Sequence, residues 1–234
     1  MYKAILFDLD GTLLPLSMDN FRKVYFPLLV KKGVEMGIDK DKMKTAVLGG
    51  LKAMVENDGT KPNCDVFWDF FQSVTGVQKS AVEKDFEYFY NNEFLQLKEV
   101  CGDTVFSRKI VDTLKQKGYR LILATNPILP VCAAINRMAF VGLKPDDFEY
   151  ITGFENSTYC KPNVNYYSEI LEKNNLSPQE CLMVGNNALE DMVASKLGID
   201  TFLVTDVLEN DFNLDYSNYE NGSLEDFYKK VLMF

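Results

Sequence analysis

The chain contains no histidine among its 234 residues. That absence excludes Ser-His-Asp and Cys-His catalysis, imidazole-held zinc and an imidazole general base. Cysteine is sparse: Cys64, Cys101, Cys132, Cys160 and Cys181 are odd in number, dispersed and never spaced Cys-x-x-Cys. Neither a disulfide framework nor a zinc site is expected, and a reducing cytoplasm fits this usage best. Positive charge is in the minority, 25 Lys and Arg against 34 Asp and Glu, giving a net charge of -9. Nucleic acid and anionic membranes, which select basic patches, are poor partners for such a chain. No apolar run is long enough to cross a bilayer, no basic-then-apolar leader precedes the first apolar segment, and no repeat or low-complexity tract occurs.

What the chain does have is 47% hydrophobic residues, enough for one large or two modest domains. Its most informative segment is Ala4-Ile5-Leu6-Phe7-Asp8-Leu9-Asp10-Gly11-Thr12-Leu13. The short apolar run reads as a buried strand ending in two carboxylates and a glycine turn. Side chains two apart on a strand share a face, so Asp8 and Asp10 are expected to meet at its carboxyl end. Crowded carboxylates there suit a nucleophile, acid/base chemistry or a divalent cation; a decorated surface turn is the plainer alternative. An EF-hand loop is excluded, because it needs Gly sixth and Glu twelfth where this chain has Leu13 and Asp19.

Two textures follow along the chain. From Ser17 to Val100 the apolar residues recur with helical spacing and no strand is evident; Met43, Val47, Leu51, Met54 and Val55 form one stripe, and Pro27 is expected to bend or interrupt an earlier helix. Another helix is expected after a cap at Ser80. Phe67, Trp68, Phe71, Tyr88 and Tyr90 could line a pocket, although aromatic stripes at this spacing suit a helical core. From Gly102 the pattern alternates. A helix runs to Gly118, then come strands at 120–125, around 148–152, 181–184 and 201–204. Helices are expected at 131–140, 163–173 and 189–197, and a capping box from Ser223 to Asp226 opens a last one. Short buried strands separated by helices predict an α/β fold, a parallel sheet covered on both faces. Residues 1–16 and 101–234 would form this Rossmann-like core, and 17–100 an inserted all-helical domain joined near Leu14–Ser17 and Leu95–Gly102.

In a parallel sheet all carboxyl ends share one edge, so four distant segments can converge. The second strand ends in Thr125-Asn126-Pro127, where a hydroxyl and backbone N–H groups could cradle a phosphate. Lys161-Pro162 precedes a helix, with Pro162 expected at its first position; a lysine there opposes the helix dipole unless an anion is bound. Gly185-Asn186-Asn187-Ala188-Leu189-Glu190-Asp191 forms a turn into another helix, with Asp191 in its first turn.

The order Asp-x-Asp, Thr-Asn, Lys-Pro, Gly-Asn-x-x-x-x-Asp resembles the haloacid dehalogenase-like (HAD) hydrolase superfamily, and the helical insertion resembles its helical-cap, phosphoglycolate-phosphatase-like branch. The resemblance implies a phosphatase acting on a small phosphomonoester. Asp8 matches the family's nucleophile and Asp10 its general acid/base. Thr125, the Asn126 backbone and Lys161 match its phosphate binders. A magnesium ion would be held by Asp8, the Asp10 carbonyl, Asn186 and Asp191. The fourth motif departs from the family pattern: Asn186 stands where members usually carry an acid, so a working but weaker metal site is expected. A carboxylate at Asp10 favours phosphoryl transfer over dehalogenation. A mutase keeps the same motifs, and a non-catalytic phospholigand- or protein-binding descendant is the alternative that Asn186 motivates.

Overall fold

The computed structural model describes residues 2–234. Ala4–Phe7 is apolar throughout and fully buried, as a strand covered on both faces requires. This strand, β1, lies inside a six-stranded parallel sheet completed by β2 (Arg120–Leu123), β3 (Tyr150–Ile151), β4 (Cys181–Gly185), β5 (Asp200–Val204) and β6 (Glu220–Gly222). The order is β3-β2-β1-β4-β5-β6. Phe7 lies opposite Leu123 on one side and Val184 on the other, so three strand exits sit level.

Alternate residues feed two cores. Ile5, Phe7, Leu123 and Val184 join a cluster with α5 (Phe106–Gln116), α6 (Val131–Phe140) and α8 (Leu224–Met233). Ala4, Leu6, Ile122 and Met183 point to the other face, against Tyr166, Tyr167 and Ile170 of α7 (Val164–Asn174). Each fully buried aliphatic side chain contributes roughly 1.5–3 kcal/mol, which fixes the sheet rigidly behind its loops. Between β1 and α5 lie α1 (Met18–Glu35), α2 (Lys40–Val55), α3 (Asn63–Thr75), α4 (Lys79–Asn91) and a 3-10 helix at Glu93–Val100, with no strand.

The structure corrects several local expectations. Pro27 does not interrupt α1, which runs 18 residues; proline removes one N–H donor but leaves the flanking turns bonded. Helix α4 starts one residue before Ser80, with Gln78 as its N-cap and no side-chain capping bond. The third strand is only Tyr150–Ile151. Residues 189–197 do not form an α-helix: a turn leads into a 3-10 helix at Met192–Leu197, with Asp191 at its N-cap. Pro162 is not the first helical residue, because Asn163 caps α7 through its side chain and Val164 begins it. Edge strand β6 is an element that alternation did not reveal; its residues, Glu-Asn-Gly, are polar and largely exposed. No helix among the described residues is long and apolar enough to cross a membrane.

Candidate active site

Beyond Phe7 the chain keeps to the sheet for one more bond, Asp8 N–H to the Val184 carbonyl at 2.9 Å, and then turns. Gly11 takes φ +81°, and Gly11 N–H reaches the Leu14 carbonyl at 2.7 Å. The tight turn leaves Asp8 and Asp10 side by side and buried, 8% and 9% exposed. The next exit continues the ladder with Ala124 N–H on the Phe7 carbonyl at 2.7 Å. Two hydroxyls then hold the Thr125 carbonyl, Thr152 at 2.7 Å and Tyr166 at 2.8 Å.

Asp8, Asp10, Thr125, Asn126, Asn186 and Asp191 line one cavity of about 390 Å³. Lys161 stands behind them, only 1% exposed, and its ammonium donates to Asp8 at 2.9 Å and to Asp191 at 2.6 Å. The structure therefore brings together all seven residues singled out from the sequence. The anions that Lys161 meets are these two carboxylates of the chain itself. Burial opposes the lysine's charge, but Asp191 and then Asp8 outweigh it and hold its pKa well above the ordinary value. For Asp8, burial raises the carboxyl pKa, Lys161 pulls it back only in part, and the neighbouring Asp191 and Asp10 add to the rise, so the net direction is upward.

Arg137, on α6, is 3% exposed and ion-paired through Nη1 with Asp10 Oδ2. It also stacks over Phe21 of α1 at 5.6 Å. Burial raises the Asp10 carboxyl, against the pull of Arg137 and Lys161. Sequence reasoning missed this arginine; its signal was a lone charge within the apolar segment Val131–Phe140. Glu190 was missed as well. It accepts from the Asn126 side chain at 3.0 Å, and burial pushes its carboxyl up to about 7.

Asn186 occupies its position through three contacts. Its Oδ1 accepts from Thr12 Oγ1 at 3.1 Å, its Nδ2 donates to the Val207 carbonyl at 2.7 Å, and the amide lies where a Cβ on Gly11 would be, 2.1 Å from Nδ2. Asp191 presses equally close on Gly185 and accepts from Asn187 N–H at 2.9 Å. The oxygens gathered here, from Asp8, Asn186 and Asp191, are hard donors of the kind magnesium prefers. Asp10 Oδ1 and Asn126 Oδ1 are buried beside them without a hydrogen-bond partner. Among the described residues no three His, Cys, Asp or Glu side chains form a metal-ligand group. Two carboxylates, Asp8 and Asp191, and the Asn186 amide oxygen are a donor set of the type a small hard cation accepts.

The haloacid dehalogenase-like hydrolase family model matches residues 2–198. The chain belongs to that family of hydrolases. A glyceraldehyde 3-phosphate phosphatase of Methanothermobacter thermautotrophicus is 26% identical over 215 residues, covering 89% of this HAD-family chain and 88% of that protein. Among solved structures, 2-haloacid dehalogenase from Pseudomonas syringae superposes with a TM-score of 0.65 at 16% identity, covering 100% of this chain and 99% of that one. A Bacillus subtilis structure solved bound to magnesium gives a TM-score of 0.55 at 20% identity and covers 98% of each chain. With these two structures the HAD chain shares its fold, a parallel sheet flanked by helices.

Proposed function

We propose that this hydrolase is a magnesium-dependent phosphatase of small phosphomonoesters, working through an aspartyl-phosphate on Asp8. The observation that carries the reading is the Asp8–Lys161–Asp191 triad beside Asp10, Thr125 and Asn126 in one cavity. A phosphatase name on the Methanothermobacter relative supports the same class of substrate.

In the first step an Asp8 carboxylate oxygen attacks phosphorus, and the bond from phosphorus to the leaving oxygen breaks as that oxygen takes a proton from Asp10. In the second step Asp10 removes a proton from water, whose oxygen displaces Asp8 and releases inorganic phosphate. Lys161 orients the Asp8 nucleophile and offsets charge on the phosphoryl oxygens, while Thr125 and the Asn126 backbone hold the equatorial oxygens. Arg137 fixes the Asp10 carboxylate through one oxygen and leaves Oδ1 free to handle the proton. Magnesium would be held by Asp8, the Asp10 carbonyl, Asn186 and Asp191, and would add positive charge at the phosphate. Residues 17–100 form a helical cap over this edge, with 1–16 and 101–234 as the catalytic core.

The reading is tested by hydrolysis of p-nitrophenyl phosphate with magnesium and with chelator. Turnover in magnesium, its loss in chelator, and a fall of at least ~10³-fold in Asp8→Asn are expected. Full activity in Asp8→Asn would remove the nucleophile, and with it the mechanism.

A further inference from the structure

A second cavity, of about 330 Å³, opens between α1–α4 and the segment after Asn126. Its walls include Leu51, Phe67, Trp68, Tyr90, Ile128 and Cys132. Of the aromatic residues singled out from the sequence, three line it, whereas Phe71 is core and Tyr88 is 57% exposed. Size and lining match a ligand pocket, concave, mostly apolar and placed between layers of structure. The Tyr25 and Tyr90 hydroxyls, also in its wall, are bonded to each other at 2.9 Å and provide a polar spot.

Two links join it to the catalytic cavity. Ile128 lines both, and it lies two residues from Asn126, a span of at most about 7 Å. Phe21 and Tyr25, one turn apart on α1 with ring centroids at 5.0 Å, face the catalytic cavity and the second cavity respectively. The charged residues around the second cavity are Glu83, Glu87 and Glu155 against Lys79 alone. That excess of acid repels a carboxylate or a second phosphate.

Resting on the phosphatase reading, we propose that this chamber receives the leaving alcohol of the substrate, and that the substrate is a phosphate monoester of a neutral, apolar or aromatic alcohol. The chamber thereby sets specificity away from short polar or doubly anionic esters. Each methylene buried there raises kcat/KM about fourfold.

Trp68 is the single tryptophan of the chain, so its emission reports the chamber directly. The experiment has two arms on the intact protein. In one, Trp68 fluorescence is followed as 2-phenylethanol and benzyl phosphate are titrated in; in the other, kcat/KM is measured for methyl, butyl, hexyl and benzyl phosphate and for 2-phosphoglycolate. A saturable change in emission is expected, with kcat/KM rising along the alkyl series, benzyl at least tenfold above methyl, and 2-phosphoglycolate lowest. Leu51→Phe and Cys132→Phe, which fill the chamber, should bring the benzyl-to-methyl ratio close to one; a ratio insulates the result from partial misfolding. A flat series, a ratio untouched by both variants, or Trp68 blind to both probes overturns the proposal. Saturable 2-phenylethanol binding with no hydrolysis of any ester would overturn the phosphatase reading and the leaving-group role, and leave an apolar-ligand site.

Discussion

Two charge clusters in this molecule differ in what they leave undone. Ahead of β3, Asp147 is buried between Arg108 and Lys115. Its Oδ1 accepts from Lys115 at 2.7 Å and Arg108 at 3.2 Å, and its Oδ2 from Lys144 N–H at 2.8 Å and again from Arg108. Both oxygens are doubly taken. At the opposite edge of the sheet, Asp8, Asp10 and Asp191 share Lys161 and Arg137, and Asp10 Oδ1 and the nearby Asn126 Oδ1 have no partner. Buried acceptors without donors are costly. A closed cluster ties elements together; an open one is completed by something that enters.

Lys161→Met should show the contrast most strongly. It strands Asp8 and Asp191 as unpaired buried charges, a loss of about 3–5 kcal/mol, read as a lower urea midpoint; an unchanged midpoint would mean the carboxylates are relieved some other way. Arg137→Gln acts on function more than on the fold. If the arginine aligns Asp10, turnover of alkyl phosphates drops about 10–100-fold, while p-nitrophenyl phosphate, whose leaving group needs little protonation, loses less than about threefold. Equal losses on both substrates would assign Arg137 to the phosphate instead. Asn186→Asp adds a third anionic donor and should lower the magnesium concentration for half-maximal activity about tenfold; no change would place Asn186 outside the metal's reach.

The smallest effect belongs to the closed cluster. Burial raises the Asp147 carboxyl, but Arg108 and Lys115 overcome this and hold it at about 2, below its ordinary value of 3.8. A depressed carboxylate stabilises the fold above the unfolded pKa, and that contribution fades as pH falls from about 4 to about 2. Because both cations are partly exposed, Asp147→Asn should cost only about 1 kcal/mol at pH 7. The cost should shrink to a small fraction of that by pH 2, with kcat at pH 7 unaltered. Denaturation at pH 7, 4 and 2 measures it, and a pH-independent difference would contradict the ion-pair origin.

Much of this arrangement was legible because strand exits obey a simple rule: parallel strands end at one edge, so Asp8, Thr125 and Asn186 had to be neighbours. Other features depend on contacts that spacing does not encode. Lys161 is expected from sequence to meet an anion ahead of a helix; that its ammonium is buried between Asp8 and Asp191 is a long-range contact that spacing does not encode. Arg137 sits in an otherwise apolar helix whose partner, Asp10, is 127 residues away. The turn residues 189–191 read as the start of a helix because their composition is helical; Asn187 Oδ1, accepting from Leu189 N–H at 3.0 Å and Glu190 N–H at 2.9 Å, diverts the backbone first. Polar β6 had no alternation to detect.

Glu209 lies beyond residue 198, where the family match ends. Its carboxylate accepts from Met18 N–H at the start of α1 and from the Asn187 side chain, both at 3.2 Å. Its own backbone exchanges bonds with the Asn186 carbonyl at 3.0 Å and Ala188 N–H at 2.9 Å. The segment after β5 is therefore stitched into the fourth loop and into the start of the helical insertion. Grafting the four motifs onto a relative would transplant the reacting groups without the seam that keeps them in register.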